Sequence, residues 1–263
     1  MLKELFKNDL ALGFAQAAVA ALLALAVALL ARSRGIRLIS EAAVSMLRGL
    51  AQIVAVGFAL IVLLKGPWWT APFALAGMVV AAAFTAARRV KRIPGAWRVA
   101  LQAIAFGAGS VIVLLAIFGV IDISVSALVP VGSMLIANAM NGASLALERF
   151  RADVEAHVGE IETALALGAA PAITVQPYAQ AALRASLIPP MDNIRTLGIV
   201  WIPGLMAGMI LSTGKPLYAS IYQFVVLAGI FAASGLTCLM AVSLISRCAF
   251  SPAEQLLAGH FRR

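Results

Sequence analysis

Charge is what this sequence has least of. Asp, Glu, Lys and Arg make up 12% of its 263 residues, against about a quarter in a soluble domain. Histidine is nearly absent, with only His157 and His260. The two cysteines, Cys238 and Cys248, show neither metal-ligand spacing nor a pairing pattern, so they read as structural thiols. Aromatic residues reach 7% and never alternate with a basic stretch, which excludes nucleic acid as a partner. No Gly-x-x-x-x-Gly-Lys-Ser/Thr run occurs, so the chain has no phosphate-binding loop of its own. Met1 to Asp9 is polar, and the apolar run after it lacks a small-residue cleavage site. No cleavable signal is therefore expected.

What is present is hydrophobic: 63% of residues, with a mean hydropathy of +1.00. Long apolar windows repeat along the chain, and each marks a candidate span. They are Leu10–Ala31, Ala42–Leu64, Ala71–Ala87, Val99–Ile121, Val125–Leu147, a short one over Leu197–Ser212, and Tyr218–Ile245. The expected fold is all-α: a polytopic transmembrane protein of about seven helices, as one domain over residues 1–263. Gly66-Pro67-Trp68-Trp69 supplies a turn with aromatics suited to the membrane interface. Arg48 lies about 9 Å along its span and can snorkel to the interface.

The formal charge of +9 follows the spans. Sixteen of the 20 Lys and Arg residues fall on one side, including Arg32, Arg34, Arg37, the cluster Arg88-Arg89-Val90-Lys91-Arg92, and Arg247. The positive-inside rule makes that side cytoplasmic. It places the N-terminus outside, the C-terminus in the cytoplasm, and the polar stretch 148–190 in the cytoplasm. The expected location is the inner (plasma) membrane, crossed several times.

That stretch has structure of its own. Leu147, Phe150, Val154, Val158, Ile161 and Leu165 recur at helical spacing, so the fifth span is expected to continue beyond the bilayer, with a bend near Gly159. Arg149/Asp153 and Arg151/Glu155 are i,i+4 pairs. Gly168 suits a helix C-cap, and Pro171 suits the first turn of a second helix ending at Pro189-Pro190. On charge alone this is a solvated surface elbow.

Glu162-Thr-Ala-Leu-Ala-Leu-Gly168-Ala169, ahead of a short helix, resembles the EAA loop of ABC-transporter membrane subunits, although Thr163 stands at the motif's first Ala. The resemblance widens through Pro130-Val-Gly-Ser-Met-Leu-Ile-Ala-Asn138-Ala-Met-Asn141, Arg184-Ala-Ser-Leu-Ile-Pro-Pro-Met-Asp192 and Thr196-Leu-Gly-Ile-Val-Trp-Ile-Pro203. In that order these runs resemble the Fet-type (FetB-like) iron-export ABC transporter permeases, a family that also includes plant aluminium-tolerance membrane proteins. The resemblance implies a permease without enzymatic activity that binds no cofactor and is driven by ATP on a separate cytoplasmic ATPase subunit. It makes 148–190 a coupling elbow, with Glu160, Glu162, Ala164, Gly168, Ala169 and Pro171 as contact residues. Seven spans are few for a whole pathway, so a homodimer is expected within the lipid bilayer.

Polar groups and helix breaks inside a membrane are costly and mark candidate sites. Asn138 and Asn141 share a face, either as hydrogen-bonding glue between helices or along a pathway. Met191 and Asp192 sit at the mouth of the short span, where Asp192 also fits a helix N-cap after Pro190. Pro203-Gly204…Gly208 interrupts that span, near Met206, and Gly204 and Gly208 also form a small-residue packing face. Iron(II) is expected to use imidazole, carboxylate or other oxygen ligands; no span holds a histidine, and Asp122 and Asp192 stand only at span edges. The methionines suit Cu(I) or plain gap-filling. An intramembrane protease lacks its His or Asp pair. A metal chelate, a nucleotide-sugar or an ion-coupled secondary transporter is an alternative to iron export.

Overall fold

The computed structural model describes residues 9–35, 39–64, 66–90, 95–251 and 253–257. Among these, nine helices carry the fold, and the only β pairing consists of two isolated bridges. Six helices are long and apolar enough to cross a membrane. Backbone contacts divide the chain into two compact units, residues 1–66 and 67–263.

The first unit holds helix α1 (Asp9–Ser33) and helix α2 (Ile39–Leu64), which pack on each other. Both are apolar nearly all round. Among the described residues, Ala28 is the buried hydrophobic one that they supply. Such outward-facing Leu and Val side chains suit lipid, which solvates them as readily as a protein core does.

The second unit contains helices α3 (Thr70–Arg89), α4 (Ala96–Ile117), α5 (Val125–Ala156), α6 (Val158–Ala166), α7 (Pro171–Thr196), α8 (Gly204–Thr213) and α9 (Pro216–Cys248). Helices α5 and α9 form its centre. Helix α4 lies against both of them, α7 against both, and α3 against α4 and α5. Small residues set these spacings. A Cβ on Gly107 of α4 would stand 2.7 Å from the Thr237 Cα of α9. One on Gly142 of α5 would stand 2.8 Å from the Cys238 sulfur. Ala83, Ala86, Ala100, Ala103, Ala139, Ala143 and Ala233 fill the seams and are fully buried. In lipid, association rests on this close van der Waals packing.

The fifth span continues as expected. Helix α5 starts at an N-cap, where Ser124 Oγ accepts from the Ala127 N–H at 3.3 Å, which satisfies one free donor of the first turn. It then runs unbroken for 32 residues, about 48 Å. It breaks at His157, two residues before the expected bend at Gly159, and α6 follows at once.

Two expectations need correction. Helix α7 does not stop at Pro189-Pro190 but continues to Thr196. Proline removes an N–H and crowds the carbonyl four residues back, a local cost that the packing of α7 on α5 and α9 offsets. Leu197–Ser212 is not one short helical span. Residues 197–203 form a turn in which Gly198 takes φ +75° and its N–H donates to Trp201 O at 3.0 Å. Pro203 is extended, and only then does the ten-residue α8 begin. Glycine permits the left-handed backbone, and the residue before a proline is steered away from helix.

Candidate functional site

Two places in the second unit bring the expected site residues together. The first is a cavity of about 420 Å³ at the Arg89 end of the bundle, walled by α3, α5, α7 and α9. Its polar lining is Arg89, Asn138, Asn141, Ser186, Asn193 and Ser234. Helix periodicity places these groups. Asn138 and Asn141 are three apart and face the same way. Ser186 and Asn193 are seven apart, two turns of α7. Pro189 and Pro190 lie between them on the cavity wall. These prolines take the intrahelical donor away from the carbonyls of Ala185 and Ser186.

The local bonding shows which groups are free. Asn138 Nδ2 donates to Met134 O at 2.9 Å, and Ser186 Oγ donates to Leu183 O at 2.8 Å. Ser234 is 1% exposed, and its Oγ has no hydrogen-bond partner in the structure. A buried hydroxyl without a partner costs free energy unless something arrives to satisfy it. Arg88 is occupied, with its guanidinium 4.7 Å from the centre of the Phe84 ring. Arg89 has no ion pair among the described residues and is the one charged side chain on the lining. The rest of the basic cluster, Lys91 and Arg92, lies outside the described residues.

Met191, Asp192 and Met206 do not line this cavity. Asp192 is not a helix N-cap either. It sits in the last turns of α7, exposed, paired with Arg195 at 3.4 Å. Met206 is on α8, where Ser220 Oγ reaches its sulfur at 3.9 Å. Among the described residues, no three His, Cys, Asp or Glu side chains gather as a metal-binding group.

The second place is the elbow. Helix α6 ends in a Schellman turn: Gly168 N–H donates to Leu165 O at 2.9 Å and Ala169 N–H to Ala164 O at 3.0 Å. The motif needs a left-handed residue, and Gly168 supplies it at φ +87°. Ala170 is extended and Pro171 opens α7. Ile161 and Val175, each 1% exposed, supply buried side chains from the two arms. Glu160 accepts from Tyr178 Oη at 3.3 Å, and the Tyr178 ring stacks on His157 at 4.9 Å. Burial and then the neighbouring Glu160 carboxylate raise the Tyr178 pKa above its ordinary value. Both ion pairs expected on the α5 extension are present, Arg149–Asp153 at 3.1 Å and Arg151–Glu155 at 3.3 Å.

Glu162, Gly168, Ala169 and Pro171 line a second, solvent-facing hollow of about 780 Å³. Its other wall is the segment after α9, Ala253 to Leu256. Leu167, at the elbow's tip, is 84% exposed. Four of the cavity groups, Arg89, Ser186, Asn193 and Ser234, and the 253–256 wall were not expected from the sequence. A signal existed for one of them: Ser186 stands three residues before a double proline.

A polar cavity between apolar helices, in a chain with six membrane-length helices, defines a multi-pass membrane protein. The chain belongs to the uncharacterised protein family UPF0014, whose model matches residues 14–250. It is 38% identical over 130 residues to a UPF0014 membrane protein of Synechocystis sp., a match that spans 49% of this chain and 50% of that protein. It is 30% identical over 246 residues to Protein ALUMINUM SENSITIVE 3 of Arabidopsis thaliana, covering 93% of this chain and 90% of that one. It is 29% identical over 182 residues to "Probable iron export permease protein FetB" of Escherichia coli, covering 69% of this chain and 70% of that one. No solved structure matches.

Proposed function

We propose that this chain is the membrane-spanning permease subunit of an ABC transporter of the inner membrane, driven by a separate cytoplasmic ATPase. The observation that carries the reading is the elbow. A nine-residue helix, a Schellman turn at Gly168 and a proline-started helix present Glu162 and the bare Leu167 tip to solvent. The same sequence run resembles the loop with which ABC permeases meet their ATPases.

The geometry gives this elbow something to move. Helix α7 begins at the docking turn, and the same helix lines the polar cavity with Ser186 and Asn193. Those residues lie about 22 and 33 Å along it from Pro171. A push on the turn therefore reaches the cavity wall through one helix, with Pro189 and Pro190 as the place to bend. Helix α5 and its extension form the second rigid arm. With the cavity at the Arg89 end of the bundle, the positive-inside rule makes it open toward the cytoplasm. ATP binding to two ATPase subunits on a permease homodimer would close it there and open it outside, so that substrate leaves the cell. Iron is the substrate indicated by the name of the Escherichia coli relative. A chelate or a nucleotide-sugar suits the amides and hydroxyls of the lining.

The reading is tested by co-expressing the chain with the ABC ATPases of its own cell and identifying which one co-purifies. The wild type is expected to retain the ATPase, and a chain with Glu160 to Pro171 replaced by a Gly/Ser linker is expected to lose it while still inserting in the membrane. Retention by the linker variant would overturn the elbow's role.

A further inference from the structure

We infer that the cavity between α3, α5, α7 and α9 selects a small anionic, oxygen-rich solute, alone or as its metal complex, and rejects a bare metal cation. The inference takes the cavity to be the substrate site of the proposed permease and names the charge that this site accepts.

Four observations carry it. Among the described residues, the cavity lining holds one charged side chain, Arg89, and no carboxylate or imidazole. A bare iron(II) ion is held best by imidazole or carboxylate ligands; the Asn carbonyls here are neutral and weaker, and an arginine that keeps its charge would repel the ion. Second, Arg89 has no ion pair among the described residues, whereas its neighbour Arg88 sits over Phe84. Arg89 is exposed at the cavity's rim, and a guanidinium attracts carboxylate and phosphate oxygens, which it can grip with two parallel hydrogen bonds. Third, the remaining lining consists of Asn138, Asn141 and Asn193 amides with Ser186 and Ser234 hydroxyls. These donate and accept, as a solute bearing both hydroxyl and anionic oxygens requires. Fourth, the Ser234 hydroxyl is buried without a partner on this wall. Of the three buried side-chain atoms without a partner, Gln223 Oε1, Ser234 Oγ and Thr237 Oγ1, only Ser234 belongs to a residue of this lining. At about 420 Å³ the space suits a small metabolite.

The test is equilibrium binding to the purified permease in lipid nanodiscs without its ATPase. A failure of ATPase coupling therefore leaves this result untouched, and a failure here leaves the coupling reading standing. The probes are radiolabelled phosphate, citrate, ferric citrate and Fe(II) under reducing conditions. At least one anion, free or metal-bound, is expected to bind saturably. Arg89→Gln should weaken it at least tenfold, and Arg89→Lys should restore part of the loss. Ser234→Ala should weaken it several-fold without lowering the melting temperature of the empty protein, because that hydroxyl bonds nothing there. If only Fe(II) binds, if no anion binds, or if anion binding ignores Arg89→Gln, the inference is wrong. If free citrate binds as well as ferric citrate, the anion is the recognised element; if only ferric citrate binds, the complex is.

Discussion

Single atoms decide how closely the central helices approach. At Gly107 an added methyl would meet the Thr237 backbone, which cannot rotate away. Gly107→Ala should cost on the order of 1–3 kcal/mol, the usual range for overpacking. A lower melting temperature in detergent would report it. Gly109→Ala, two residues on in the same helix, meets nothing within 4 Å and should leave melting unchanged or slightly raised, since alanine is the better helix former. The sequence made some residues of the sites legible. Gly168 and Pro171 were readable because a left-handed cap and a helix start each favour one residue type. Asn138 and Asn141 were readable because amides stand out in an apolar run. Arg89 was not, because a basic residue at a helix end is already explained by the membrane's charge rule. Ser234 was not either, since serine is common in membrane helices and only the packing of three other helices leaves it without a partner.

At the scale of elements, the elbow is a set of short devices that hold two helices at a fixed angle. Gly168→Val would force a branched side chain into the left-handed region, at a cost of about 1–2 kcal/mol. The Schellman turn should open, and affinity for the ATPase should drop several-fold in a pull-down titration while membrane insertion stays normal. The Tyr178 latch has a pH signature. Its folded-state pKa is raised by burial and then by Glu160, so the neutral phenol is favoured. The latch is therefore intact below the tyrosine's ordinary value and is lost as pH rises through the raised folded value. Protease susceptibility of the elbow should increase in that alkaline window, and Tyr178→Phe should abolish the pH step. The elements where sequence reasoning failed are informative. The double proline at 189–190 looked like a helix end because proline disfavours helix in the residue before it. Long-range packing against α5 and α9 overrides that local preference. The turn over 197–203 was hidden by its own hydrophobicity, since Ile199, Val200, Trp201 and Ile202 read as membrane helix by composition.

For the molecule as a whole, the fold class was legible because a bilayer admits few solutions. Every buried backbone group must be satisfied within helices, so apolar runs of sufficient length become helices. The cavity was not legible, because it is assembled from four helices far apart in sequence. The proposed machine links one docking turn to one cavity through a single helix, so coupling should fail when that helix is made flexible between them. Inserting two glycines after Ala182 should leave ATPase binding intact and uncouple ATP hydrolysis from transport.

The central claim is that movement of substrate through this chain is driven by ATP on a partner subunit. The most direct measurement is uptake into inside-out vesicles containing both chains, supplied with radiolabelled iron with and without citrate. ATP should drive accumulation that survives a protonophore and disappears when the ATPase is omitted or the elbow is replaced. Accumulation that proceeds without the ATPase, or that a protonophore abolishes while ATP remains, would contradict the account and mark the chain as an ion-coupled secondary transporter.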